Sequence, residues 1–378
     1  MYGRRYMRKF LFLAMLTANL SQGDLQAEEC TEKWDLTLST DPAIPKPFSG
    51  DGNAAYGVLG WRGDKNLKFV LKGEYPWARF MSLSSMWSKK HYPVDAILDT
   101  QIQPDEGSRN PYIEGTPLDT TPRNYTIEAL PNGVSPTPGL KNVIRLPDSR
   151  LYTHVFMFRI FSPNAGLEVK PEWFPRIFAY NLKGEPIACP KQIDLPHYFK
   201  FPEFLTIIVP RKTHFEFKEA NILWGPNVAI PKYTYAVNPM VYGEEVIVVR
   251  FKAPVFMRTI SGTGPMPILL ETRYWSLCTQ DYPKNETRGC LPDYLTKLDS
   301  KGFVNVVIGH GDDVRQAAET RGLNFINDSR GPKQFVVGFN YRNLVVDPVF
   351  AQTRMYQGDY LPKGVLCSRE EFLEGKCH

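Results

Sequence analysis

Alternate positions carry the apolar side chains over Leu67, Phe69 and Leu71, against Lys68, Val70 and Lys72, and again over Phe335, Val337, Phe339 and Tyr341, against Val336, Gly338 and Asn340. A period of two places successive side chains on opposite faces of an extended chain and predicts half-buried β-strands. Short continuous apolar runs bounded by Gly, Pro or charge, at Val155 to Phe158, Leu205 to Val209, Val246 to Val249 and Val304 to Ile308, predict strands buried on both faces or in a sandwich core. Helical signal is sparse. Val314 to Arg321 has Asp312 or Asp313 placed to cap it and Gly322 to end it, and Ser368 with Glu371 has capping-box spacing before a stop at Gly375.

A weak internal repeat organises these elements. Arg79-Phe80-Met81-Ser82-Leu83 matches Arg273-Tyr274-Trp275-Ser276-Leu277. A second apolar strand follows in each half (Tyr125-Thr126-Ile127 and Val304-Asn305-Val306), then a third (Val155-Phe156-Met157 and Phe335-Val336-Val337). The matched order and spacing predict a duplication. The N-terminal copy carries about fifteen extra residues between Leu83 and Tyr125, where Asp99 to Gly115 reads as a polar loop.

Composition sharpens this into a class. Across 378 residues, 43% are hydrophobic and 22% charged, which excludes a disordered or multi-span membrane chain as the main body. The 32 prolines, 28 glycines and 13% aromatics fit many turns joined by aromatic-rich strands. The expected fold is all-β, two jelly-roll-like β-sandwich domains with a few short helices, at residues 28–215 and 232–378 joined by a linker at 216–231.

The N-terminus reads as an address. Arg4, Arg5, Arg8 and Lys9 precede an apolar stretch from Phe10 to Leu20, and Ala27 offers a small residue for cleavage, so residues 1–27 are expected to be a secretory signal peptide. The apolar stretch falls short of the roughly 20 residues that span a bilayer, and no second apolar run is long enough, so no transmembrane segment is expected in the mature chain. Removing residues 1–27 leaves 41 basic and 39 acidic residues, and no cationic cluster remains to track a nucleic acid. A periodic or long Lys/Arg face is absent from the pattern, and the expected location is periplasmic or secreted.

All six cysteines lie in the exported part, and an even count in an oxidising compartment predicts disulfides. Short loops favour Cys278 with Cys290 and Cys367 with Cys377, leaving Cys30 and Cys189 to close a long loop. No Cys-x-x-Cys or tight His spacing offers a zinc site, and no metal or cofactor is expected.

The strand Arg-aromatic-x-Ser-Leu, followed by Asn324-Phe325-Ile326, Gly331-Pro332 and an apolar strand, resembles the bacterial jelly-roll domains of unknown function that occur in tandem in exported proteins. There a Tyr-Ser-Leu strand precedes an Asn-Trp-Leu-Pro segment and a Gly-Pro-Phe strand; here Phe325 stands for the Trp, Asn327 for the Pro and Lys333 for the Phe. The N-terminal half is similar to exported bacterial proteins carrying Tyr75-Pro76-Trp77-Ala78-Arg79-Phe80 and Pro104-Asp105-Glu106-Gly107-Ser108-Arg109-Asn110-Pro111 in this order. The resemblance spans most of residues 45–370 and implies two β-sandwiches with no established reaction.

Candidate chemistry is thin. Asp99, Asp105, Glu106, Ser108 and Asn110 put hard oxygen donors on one loop, as calcium prefers, yet without EF-hand spacing they also read as a solvated turn. His310, in Gly309-His310-Gly311-Asp312-Asp313, has carboxylates nearby for a general base, or simply leads into a capped helix. No Gly-x-Ser-x-Gly elbow is present. Arg79 and Arg273 are unusual in apolar strands, because a buried guanidinium needs a carboxylate or carbonyls. Either each is paired within its own domain, with Glu74 or Glu271 as candidates, or both line an interdomain cleft walled by Tyr75, Trp77, Tyr274 and Trp275. The first-ranked expectation is a binding protein for a small-molecule or carbohydrate ligand in that cleft. A hydrolase or lyase acting on a polysaccharide-like substrate is second, and a structural envelope-interaction module third. A filled interface without a cleft would favour the last.

Overall fold

The computed structural model describes residues 29–30, 34–41, 50–87, 93–147, 153–163, 168–193, 213–219, 232–238, 244–257, 269–281, 286–328, 337–345, 348–355 and 357–377. The expected signal peptide, the run Leu205 to Val209, Gly331-Pro332 and most of the expected linker lie outside these residues. The fold is all-β. In the N-terminal half β1 (Asp35–Thr37), β2 (Ala54–Arg62), β3 (Leu67–Glu74), β4 (Ala78–Trp87), β5 (Pro93–Leu98), β6 (Asn124–Leu130), β7 (Asn142–Arg145), β8 (Thr153–Pro163) and β9 (Arg176–Asn181) form two sheets, ordered β1-β2-β8-β4-β5 and β7-β6-β3-β9.

The C-terminal half adds β10 (His214–Glu216), β11 (Lys218–Glu219), β12 (Lys232–Asn238), β13 (Glu245–Lys252), β14 (Thr272–Asp281), β15 (Glu286–Pro292), β16 (Phe303–Gly309), β17 (Asn324–Asn327), β18 (Val337–Val345) and β19 (Lys363–Ser368). Its sheets run β11-β12-β18-β14-β15 and β10-β19-β13-β16-β17. Three short helices, α1 (Asp312–Thr320), α2 (Pro348–Thr353) and α3 (Arg369–Leu373), complete it. Because β10 and β11 pair with β19 and β12, the C-terminal sheets begin at His214, within the residues expected for the N-terminal domain and ahead of the expected linker at 216–231.

Strand order establishes the duplication. Shifting each N-terminal strand number by ten reproduces the C-terminal order in both sheets, with β10 added at one edge, and the β6–β7 and β16–β17 pairs are both parallel. The ladders also correct one detail. Leu83 opposes Phe158 as Leu277 opposes Tyr341, so Val155 corresponds to Gly338 and the sequence match of the third strand was displaced by three residues. The extra N-terminal residues fall between Asp105, whose N–H bonds to the Asn124 carbonyl, and β6; in the C-terminal half Asp299 makes the same bond to Phe303 only four residues on. A second length difference runs the other way: β3 and β4 are joined by residues 75–77, β13 and β14 by residues 253–271.

Each pair of sheets encloses a core. Trp61, Phe69 and Phe156 meet at centroid separations of 4.6–5.4 Å in the first, and Phe251, Trp275 and Tyr341 at 4.7–5.9 Å in the second. Tilted and edge-on rings of this kind add about 0.5–1.5 kcal/mol per pair to the burial of their apolar area. Met257, from the long β13–β14 connection, is buried in the N-terminal core. The three expected disulfides form, with Cα–Cα distances of 5.6 Å for Cys30–Cys189, 4.0 Å for Cys278–Cys290 and 5.9 Å for Cys367–Cys377. The helix ends hold: α1 is followed by Gly322 at φ 70°, and α3 has the Ser368–Glu371 capping box and Gly375 at φ 77°, both glycines supplying the left-handed turn. The expected aspartate cap of α1 is corrected, since Gly311 takes the N-cap without a side-chain bond and Asp312 and Asp313 lie in the first turn.

Candidate functional site

Arg79 shares the inward phase of Met81 and Leu83 on β4, as Arg273 shares that of Trp275 and Leu277 on β14. Each lies near the start of its strand, where the core phase ends against the other half rather than solvent. Each guanidinium crosses to the other half. Arg79 Nη1 donates to Asp293 Oδ1 at 2.5 Å, and Arg273 Nη2 donates to Asp99 Oδ1 at 2.6 Å. The carboxylates follow β15 and β5 directly, and each uses its second oxygen within its own half: Asp293 Oδ2 accepts from Trp275 N at 3.1 Å, Asp99 Oδ2 from Met81 N at 3.0 Å. Arg79 also lies over the Tyr274 ring, 5.7 Å from its centroid, and Arg273 over Phe80 at 5.2 Å. The two contacts are therefore reciprocal, as in a two-fold symmetric interface.

This corrects the expectation that each arginine pairs inside its own domain. Glu271 instead accepts from Val255 N at 2.7 Å and pairs with Arg354 at 2.6 Å, and Glu74 is exposed. Burial pushes the Asp293 carboxyl up to about 6 although Arg79 and its hydrogen bonds pull it down; Asp99 is pushed up by burial in the same way.

A second strap joins the halves. Gly50–Asn53, ahead of β2, lies on the C-terminal half: Asp51 accepts from Tyr274 OH at 3.0 Å and Ser276 Oγ at 2.5 Å, and Gly52 N donates to Cys290 Sγ at 3.2 Å. Asp51, Cys278 and Cys290 are close enough together to hold a metal, but both sulfurs are spent in the disulfide.

Of the six proposed ligand-binding residues, five are buried in these contacts. Arg79, Arg273 and Tyr274 sit at the junction; Tyr75 packs in the N-terminal core with its OH donating to the Ile102 carbonyl at 2.7 Å, and Trp275 packs in the C-terminal core. Only Trp77 is half-buried, with the Arg123 guanidinium 4.2 Å from its ring centroid. The junction at these residues is filled rather than cleft. The oxygen-rich loop is also committed internally: Asp99 to Arg273, Asp105 to Thr126 Oγ1 at 3.0 Å, and Asn110 to the carbonyls of Asp99 and Ile102 at 2.7 and 2.9 Å. His310 lies in the two-residue connection between β16 and α1.

Sequence reasoning found the arginines but missed Asp51, Asp293 and the role of Asp99. A signal was present: Arg79 and Asp99 are twenty residues apart, and so are Arg273 and Asp293.

No family model matches the chain, and no curated protein matches it. Among solved structures it is similar to an uncharacterized protein from Burkholderia cenocepacia, with a TM-score of 0.55 and 10% identity over 88% of this chain and 84% of that one. A Vibrio parahaemolyticus protein aligns with a TM-score of 0.45 and 13% identity over 85% of this chain and 90% of that one. The Burkholderia likeness extends over both halves and concerns the fold alone.

Proposed function

We propose that this chain is an exported, non-catalytic module in which two sandwiches act as one rigid body, serving a structural or partner-binding role at the cell envelope. The observation that supports this reading is the reciprocal burial of Arg79–Asp293 and Arg273–Asp99. A clamp that closes on a sugar must expose and re-cover its junction, and here the groups that would hold the sugar are spent on each other. Three disulfides and the basic-then-apolar N-terminus support export.

Small-angle scattering of the disulfide-intact protein, with and without a panel of oligosaccharides, tests the rigid-body reading: the profile stays unchanged across the panel. Compaction with any sugar restores the interdomain clamp. N-terminal sequencing of protein recovered from the periplasm or medium tests export, with Glu28 expected as the first residue.

A further inference from the structure

The two sandwiches differ at one corresponding seam. Between β5 and β7, Asp95 fills the gap: its carboxylate accepts from Arg145 N at 2.7 Å and Ala96 N at 2.8 Å, while the Arg145 side chain reaches the carbonyls of Pro131 and Val134. The ladders place Gly289 where Asp95 stands and Asn327 where Arg145 stands. Gly289 puts no side chain into the seam, and a Cβ there would lie 2.6 Å from the Asn327 carbonyl oxygen. Where the N-terminal half has a loop between β6 and β7, the C-terminal half has α1 between β16 and β17. Gly289 thus lets β17 close directly against β15, and beside that contact, at the first turn of α1, lies a solvent-open cavity of about 350 Å³, within the size range of small-molecule sites.

Its lining combines three chemistries. Phe325, half-buried, gives an apolar face on the α1 side of β17, while its neighbour Ile326 turns the other way into the C-terminal core. Asp312 and Arg315, on the first turn of α1, place a carboxylate and a guanidinium 2.9 Å apart at the cavity, with 82% and 46% of their side chains exposed; Arg315 also lies 3.6 Å from Glu319. An exposed pair of this kind contributes little to the fold, so both charges can turn to a ligand at small cost. A carbohydrate would find a single ring here. A small ligand carrying both charges next to an apolar group finds a partner for each part.

We infer that this cavity binds a zwitterion with an apolar side chain, a free amino acid or dipeptide, its ammonium on Asp312, its carboxylate on Arg315 and its side chain against Phe325. This goes beyond the rigid-module reading and does not depend on export. Titration calorimetry of the full, disulfide-intact chain tests it with L-phenylalanine, L-leucine and the dipeptide Ala-Phe. N-acetyl-phenylalanine, without the ammonium, and phenethylamine, without the carboxylate, serve as probes of each charge. The zwitterions bind, each truncated analogue binds at least about ten-fold more weakly, and Asp312→Asn and Arg315→Met each weaken phenylalanine by about ten-fold while leaving the melting temperature in place. No binding of any zwitterion at about 10 mM overturns the inference, as does binding that survives both substitutions. A truncated analogue that binds as well as phenylalanine overturns the ligand class.

Discussion

The two halves share one strand order but secure themselves by different means. The N-terminal sandwich is closed by a bridge between cysteines 159 residues apart, whereas the C-terminal one has two bridges with separations of 12 and 10. Their arginines differ too. Arg79 bonds Asp293 and the carbonyls of Met257 and Arg273 and leaves only Nε buried without a hydrogen-bond partner; Arg273 bonds Asp99 and leaves both Nε and Nη1 so. Loop length explains the inequality. The long β13–β14 connection delivers the Met257 carbonyl to Arg79, while the three residues between β3 and β4 reach no comparable position. The extra N-terminal residues offer Arg273 an aromatic ring instead, with Tyr112 5.6 Å from the guanidinium. Duplicated residues thus keep one contact in common and acquire the rest from whatever insertion lies nearby.

The largest expected effect separates the staples. By loop entropy, replacing Cys30 and Cys189 with alanine costs about 5 kcal/mol and replacing Cys278 and Cys290 about 3 kcal/mol. Urea midpoints of the two variants check this, and equal losses would mean that the denatured chain is already compact. Next come the arginines. Arg79→Ala costs about 3–5 kcal/mol by leaving Asp293 buried without its cation, and Arg273→Ala costs at least about 1 kcal/mol less because that side chain satisfies fewer groups. The same denaturation series measures both, and the reverse order would break the proposed asymmetry.

These contacts also set the limit of what the amino-acid pattern reveals. Alternation exposed β3 because one of its faces is buried against a partner sheet, continuous apolar runs exposed β8, β13 and β16, and cysteine spacing exposed the bridges because short loops close most readily. The arginines were conspicuous for the same reason, as charges in apolar strands. Their partners were not legible, since Asp99 and Asp293 belong to the other half and only the fold brings them within reach. The cavity beside α1 was equally hidden: Cys290, Asp312 and Phe325 are distant in the chain, and only the ladders bring β15, β17 and α1 side by side.

A smaller effect is read from pH. The Asp293 carboxyl titrates near 6 in the folded protein and near 3.8 when free, so folding binds its proton more tightly. Its contribution is fully present below pH ~4 and is lost as pH rises through 6. The melting temperature of the wild-type protein minus that of Asp293→Asn should therefore decline by a few degrees between pH 4.5 and 7.5. A difference that grows toward neutrality would show that attraction to Arg79 outweighs burial. The smallest effect belongs to Trp77→Ala, where loss of the half-buried ring above Arg123 costs about 1 kcal/mol. Thermal melts resolve it, and a loss comparable to that of Arg79→Ala would move Trp77 into the junction.

Met257 gives the chain a timetable. Synthesis runs from the N-terminus, so every strand of the first sandwich is made before the residue that completes its interior, and Arg273, the counter-charge of Asp99, comes later still. The first sandwich therefore waits, with a gap in its core and a buried carboxylate unanswered, until about a third of the second has been translated. A chain truncated between residues 219 and 257 should be a substrate for proteases and chaperones, however complete its strands.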